Sequence, residues 1–333
     1  METLMNRKNR ISRRDFIHMV GIAGMGAALS ACSGGELPIP QSSVSKQTMV
    51  PTLESAPTAQ AALGEYAYLA VARGEDPGVI TQRAISALGG MERFVKNGDD
   101  VIIKPNICTD YHTYEYAATT NPQVVAALVS LCLGAGARRV RVMDNPFGGT
   151  AASAYHKSGI ADAVSQAGGE TEVMVPAKFQ KTAIPAGVDI REWWFYADIL
   201  DADVLINVPI AKHHGGARLT LGCKNLMGTI QERGLIHINL HQRIADLTSL
   251  LRPDLTVIDA YRMLMKGGPT GGDLNNVRLE KTVIASTDIV AADTYACGLF
   301  GLSPQDVPYV DLAASMGIGT GDLGSIKIEE ITV

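Results

Sequence analysis

Short apolar runs alternate with longer amphipathic stretches through the chain from about residue 66 onward. Runs of four to eight residues rich in Val and Ile, set between helical patterns, are the signature of a mostly parallel sheet with helices on both faces. The pattern predicts strands at Tyr66–Val71, Asp100–Lys104, Arg139–Met143, Glu172–Val175, Val204–Val208, Leu255–Asp259, Lys281–Ala285 and Ile326–Ile331. Helices are expected at Pro122–Leu133, Ala152–Gln166, Ile238–Leu251 and Ile289–Phe300, stopped by Gly134, Gly136, Gly168, Gly169 and Pro253. The expected class is therefore α/β, with one domain over residues 63–333.

Ahead of this body the pattern changes twice. Arg7, Lys8 and Arg10 precede Ser12-Arg13-Arg14-Asp15-Phe16-Ile17, and a glycine-broken apolar run follows from Met19 to Ala31. Paired arginines before a weakly apolar run resemble a twin-arginine export signal, so residues 1–31 are expected to be cleaved. The signal closes on Leu29-Ser30-Ala31-Cys32, which resembles a lipobox and marks Cys32 for acylation; an ordinary cleavage site beside an incidental cysteine is the plainer alternative. Residues 32–62, rich in Ser, Pro, Thr and Gln, read as a disordered tether. The expected address is that of an exported lipoprotein on the periplasmic or extracellular side. Its partners there are the twin-arginine machinery and a membrane gripped through acyl chains at ~0.8 kcal/mol per buried methylene.

Charge narrows the partners further. Removing the five basic and two acidic side chains of residues 1–31 takes the formal charge from −5 to −8. No nucleic acid is expected as partner, because backbone binding needs an excess of Lys and Arg. Cys108, Cys132, Cys223 and Cys297 are far apart, with no iron–sulfur motif among them. They read as buried thiols or an occasional disulfide.

Ligands of such sheets bind beyond the carboxyl ends of the strands. There the chain places Lys104-Pro105-Asn106, Asp144-Asn145, Lys212-His213-His214 and Asp259. Lys212 to Gly216 reads as an anion or metal site, or as a basic solvated loop. Gly222 to Gly228 brackets Lys224 and Asn225, which present an ammonium and an amide to a phosphate or carboxylate; a helix junction capped by Asn225 is the alternative. His237 and His241 stand one helical turn apart, a spacing that holds a metal only with a third ligand, Asp259 being the best donor. Hydrogen-bonded interfacial histidines are the other reading. Gly267 to Gly272 lacks the Lys-Ser/Thr of a phosphate loop and reads as a lid or a surface turn. Asp288 is expected to cap the following helix.

The series Ile103-Lys104-Pro105-Asn106, Thr119-Thr120-Asn121-Pro122, Asn207-Val208-Pro209, Lys212-His213-His214, Gly222 to Gly228, Val257-Ile258-Asp259, Gly267-Gly268-Pro269 and Ala291-Ala292-Asp293 resembles the domain-of-unknown-function 362 family. The likeness covers most of residues 66–330, and Lys-Asn-Leu-Met-Gly is its most specific piece. It implies a fold and a set of site residues without a reaction, and it is the reason to turn Asp293 toward the pocket.

Three functions remain open at this level, and whether the protein is an enzyme is undecided. In the first, Lys104, Asn106, Lys212, Lys224, Asn225 and Asp293 bind a small anionic molecule, with His213 or His214 as acid–base and Asp259 nearby. In the second, a divalent metal or redox-accessory role rests on His213, His214, His237, His241 and Asp259. In the third, a lipoprotein without catalysis docks on a partner.

Overall fold

A computed structural model of the chain describes residues 66–333. The expected signal, Cys32 and the whole tether lie outside the described residues. The strands are β1 (Leu69–Arg73), β2 (Asp100–Pro105), β3 (Arg139–Val142), β4 (Glu170–Thr171), β5 (Phe179–Ala183), β6 (Glu192–Tyr196), β7 (Val204–Val208), β8 (Ile210–His214), β9 (Arg218–Thr220), β10 (Leu255–Leu264), β11 (Val277–Ser286) and β12 (Ile328–Thr332). Helices are α1 (Pro77–Ala87), α2 (Pro122–Gly134), α3 (Ala151–Lys157), α4 (Ile160–Gln166), α5 (Ala197–Asp201), α6 (Gly222–Asn225), α7 (Arg233–Ile236), α8 (Leu240–Leu251), α9 (Ile289–Leu299) and α10 (Pro308–Ser315).

The main sheet runs β12-β1-β11-β10-β7-β2-β3-β4, with β8 on β10 and β9 on β8. Along this path β11 alone is antiparallel to its neighbours. The chain is thus an α/β protein with a mostly parallel sheet, as its pattern implies. Strand alternation assigns each face. Val101 and Ile103 of β2, with Val204, Ile206 and Val208 of β7, pack beneath α1, α2 and α4, while Ile102 and Leu205 pack beneath α8, α9 and α10. Lys104 and Asn207 follow Ile102 and Leu205 by two residues and are paired in register. Both therefore emerge at the carboxyl edge on the α8–α10 face.

Capping explains the helix starts. Asn121 accepts from Gln123 N and Asp76 from Gly78 N and Val79 N, each with proline at the first helical position. Asp288 caps α9 by accepting from Val290 N and Ala291 N, as expected.

Several boundaries differ from expectation. The single helix expected over Ala152–Gln166 is two, because Gly159 takes φ +77 between α3 and α4. The strand expected at Glu172–Val175 is the two-residue β4 just before it, and β10 continues past Asp259 to Leu264. Lys212, His213 and His214 lie in β8, paired with β9, rather than in a loop after β7. The hydrophobic pattern does not mark the β5–β6 hairpin, α1 or α10. All four described cysteines are free and buried.

Candidate functional site

A cleft of about 310 Å³ opens at the carboxyl ends of β2, β3 and β7. Lys104, Asn106, Cys108, Asp144, Lys212, His214, Thr220, Lys224, Asn225, Arg233 and His237 line it, with Ile107, Phe147 and Met227 as apolar walls.

Its floor is a network of polar groups, all buried except the part-exposed Asn106. Lys104 Nζ pairs with Asp144 Oδ1 at 2.7 Å and donates to Asn225 Oδ1 at 3.0 Å and Pro105 O at 2.8 Å. Burial lowers the Lys104 pKa despite the neighbouring carboxylate. Asp144 also accepts from Ile107 N through Oδ2 at 2.6 Å. Asn225 Oδ1 accepts a second bond, from Asn106 Nδ2 at 2.9 Å, while its Nδ2 donates to Asn207 Oδ1 at 2.8 Å. Asn225 is therefore the hub of the floor and caps no helix. Lys212 Nζ donates to Asn106 Oδ1 at 3.0 Å, Ala118 O at 2.6 Å and Pro269 O at 3.0 Å. Neutral oxygens take all its protons, and among the described residues no carboxylate pairs with it.

Glycines let the backbone close over this floor. A Cβ on Gly228 would stand 2.0 Å from Asp144 Oδ1 and 2.6 Å from Lys104 Nζ; one on Gly268 would stand 1.7 Å from His213 O. No side chain fits at either place. The Gly267–Gly272 segment therefore forms part of the wall, with Pro269 lining the cleft.

The groups facing the open space are poorly satisfied. Lys224 Nζ has no hydrogen bond or ion pair among the described residues, and its pKa falls to about 7, first through burial and then through repulsion by Lys212. Thr220 is 3% exposed and its hydroxyl has no partner among the described residues. Arg233 donates only to the carbonyls of Asn145 (2.6 Å) and Pro146 (3.3 Å), and burial lowers its pKa. Among the lining residues Asp144 is the lone carboxylate, and Lys104 already neutralises it.

The histidines take distinct states. His214 Nδ1 accepts from Gly216 N and Ala217 N, both at 3.1 Å, so the neutral ring carries its proton on Nε2. Protonating Nδ1 would break both bonds, which agrees with a pKa pushed down to about 3 by burial and by Lys224. His214 is a neutral donor, unsuited to shuttling protons. His213 Nδ1 accepts from Gly268 N at 3.2 Å, and the ring does not line the cleft. His237 makes the opposite bond: Nδ1 donates to Arg233 O at 3.0 Å, so that in the neutral ring Nε2 is the acceptor.

Not every residue expected at the site reaches it. Asp259 is fully buried and receives Asn121 N at 2.7 Å and Tyr261 N at 3.0 Å, with its pKa raised by burial to about 6. It anchors the start of α2 and lies away from the cleft, because β10 runs on beyond it. Asp293 is likewise fully buried; it receives Gly222 N at 2.6 Å and Cys223 N at 2.9 Å, and burial raises its pKa to about 7. It holds α6, and through it Lys224 and Asn225, without facing the cleft. His237 and His241 are not brought to one centre. His237 sits in a short turn before α8 and lines the cleft, whereas His241 stacks on Tyr309 at 6.3 Å with Nδ1 buried and unpartnered. Among the described residues no group of three or more His, Cys, Asp or Glu side chains is placed to hold a metal.

Sequence reasoning leaves out Arg233, Thr220, Cys108 and the closing role of Gly228. Only Gly228 carries a local signal, as the glycine that ends the Lys-Asn-Leu-Met-Gly segment.

Residues 101–298 match the family model described as "Domain of unknown function (DUF362)". The chain is similar to the "Thylakoid-associated protein sll1697" of Synechocystis sp. (strain ATCC 27184 / PCC 6803 / Kazusa), 28% identical over 255 residues that cover 70% of this chain and 73% of that protein. Among solved structures it is similar to the lactate racemase apoprotein from Thermoanaerobacterium thermosaccharolyticum, with TM-score 0.45 and 12% identity over 69% of this chain. The chain covers 56% of that protein's length.

Proposed function

Because the chain belongs to the domain-of-unknown-function 362 family, whose description names no reaction, we propose from the cleft itself that the protein binds a small carboxylate or phosphate. The carrying observation is the unmet demand of the open side: among the described residues the buried Thr220 hydroxyl lacks a partner and the part-buried Lys224 amine makes no hydrogen bond, beside Lys212 and Arg233 that meet only neutral oxygens. Buried polar groups without partners cost about 1–3 kcal/mol each. A bound anion would satisfy several at once and supply the missing counter-charge. The hydrogen-bonded floor would orient the ligand, and Nε2–H of His214 would add a donor on a ring that stays neutral near pH 7. A thermal-shift screen of inorganic phosphate and short carboxylic acids tests this. Stabilisation of the wild-type protein that is lost in K224A and R233A is expected, and equal shifts in all three proteins would refute it.

The proposal extends to location on sequence grounds alone. Arg13-Arg14 and the Leu-Ser-Ala-Cys32 segment support export in the folded state and anchoring through Cys32. Among the described residues no helix is long and apolar enough to cross a membrane.

A further inference from the structure

We propose that Lys224 is a nucleophile toward the carbonyl group of a small 2-oxo acid, forming an imine in the cleft while Arg233 holds the carboxylate and Lys212 contributes positive charge beside it. The inference rests on the anion reading above and adds a reaction to it. Three features of the geometry carry it. The Lys224 amine lines a cleft of about 310 Å³ and is bound by nothing, unlike Lys104 and Lys212, whose protons are all committed to oxygens. Its neighbours are cations, which together with burial bring its pKa to about 7 and so leave much of it as free amine at neutral pH. Finally, the hydrogen bonds of the two cleft histidines give their neutral rings complementary roles: Nε2–H of His214 donates, and Nε2 of His237 accepts.

These states match the steps of imine formation. The Lys224 nitrogen lone pair attacks the carbonyl carbon, a C–N bond forms, and the π electrons move onto oxygen. His214 Nε2–H stabilises that oxygen by hydrogen bonding without giving up its proton. His237 Nε2 relays one proton from the attacking nitrogen to the oxygen, giving a carbinolamine, and then relays the second proton of that nitrogen to the hydroxyl, which leaves as water as the C=N bond closes. The sequence consumes one amine and one carbonyl and releases one water, with no change of oxidation state. Arg233 ties this together, because its backbone carbonyl orients His237 while its guanidinium lies in the same cleft.

The test is reductive trapping on the intact protein. Wild type, K224R and K224M are incubated with glyoxylate, pyruvate or 2-oxoglutarate and cyanoborohydride, and the adduct is mapped by peptide mass spectrometry. Glycolate, lactate and 2-hydroxyglutarate serve as carbonyl-free counterparts, followed by thermal shift, and cooperative melting of both variants verifies their folding. The expected result is an adduct on Lys224 with at least one oxo acid, exceeding that on exposed lysines such as Lys157 and absent from both variants. Stabilisation by hydroxy and oxo acids alike with no adduct on Lys224 would overturn the imine and leave the anion cleft standing. Neither stabilisation nor adduct would overturn both.

Discussion

Gly228 and Asp144 are in such close approach that a single added carbon on Gly228 would lie 2.0 Å from the Asp144 carboxylate. The glycine thus seals the buried Lys104–Asp144 pair from above, and the pair fixes one wall of the cleft. G228A should force that pair apart. Breaking a buried ion pair costs about 3–5 kcal/mol, so urea denaturation is expected to show a loss of that order, together with loss of anion-dependent stabilisation. A change within about 0.5 kcal/mol, typical of indifferent surface sites, would show that the backbone there yields freely.

Asp293 supports the site from behind. D293A orphans the N–H groups of Gly222 and Cys223, at about 1–3 kcal/mol each, and should lower stability by about 2–6 kcal/mol while loosening Lys224. Its titration gives a second readout. The native pKa of about 7 lies above the ~3.9 of an unfolded aspartate, so its contribution is complete below that lower value and is lost as pH rises through about 7. The stability of wild type relative to D293N should therefore decline between about pH 4 and about pH 7 and level off above, as followed by chemical denaturation across that range.

Lys224 should show the reverse dependence. Its native pKa of about 7 is below the ~10.4 of an unfolded lysine, so between those values the unfolded chain holds a proton that the native chain has released, and stability climbs with pH. K224M lacks that climb. It should be more stable than wild type below about pH 7 and lose its margin as pH approaches about 10. A bound anion favours the ammonium, so at about pH 8 binding should draw protons from solution, seen as buffer-dependent heats in calorimetry.

The sheet and half of the site are legible in the amino-acid sequence, and the reason is physical. Lys104 stands inside an apolar strand, where a charge is costly and so conspicuous; Asn225 and Lys224 sit between glycines; Lys212 follows a buried run. Arg233 and Thr220 belong to short segments without periodicity, so nothing local marks them, and only the fold brings them beside Lys224. Asp259 and Asp293 mislead for the opposite reason. Both are buried acids near expected strand or helix ends, a position shared by ligand-binding carboxylates and by those that anchor backbone amides. Which role each takes depends on where β10 stops and on what packs against α9, neither of which alternation of polar and apolar residues encodes.

Anchoring is tested apart from the cleft. C32A should move the exported protein from the membrane fraction to the soluble one, and R13K/R14K should hold it in the cytoplasm with its signal uncleaved. Membrane retention of C32A after carbonate washing would refute the lipid on Cys32.

The most direct measurement of all is a crystal structure of the protein soaked with phosphate or with a short carboxylic acid that stabilises it. An anion within hydrogen-bond reach of Lys224 Nζ, contacting Arg233 or the Thr220 hydroxyl, is the predicted result. A cleft holding only water, with anions found solely at exposed surface lysines, would contradict the account.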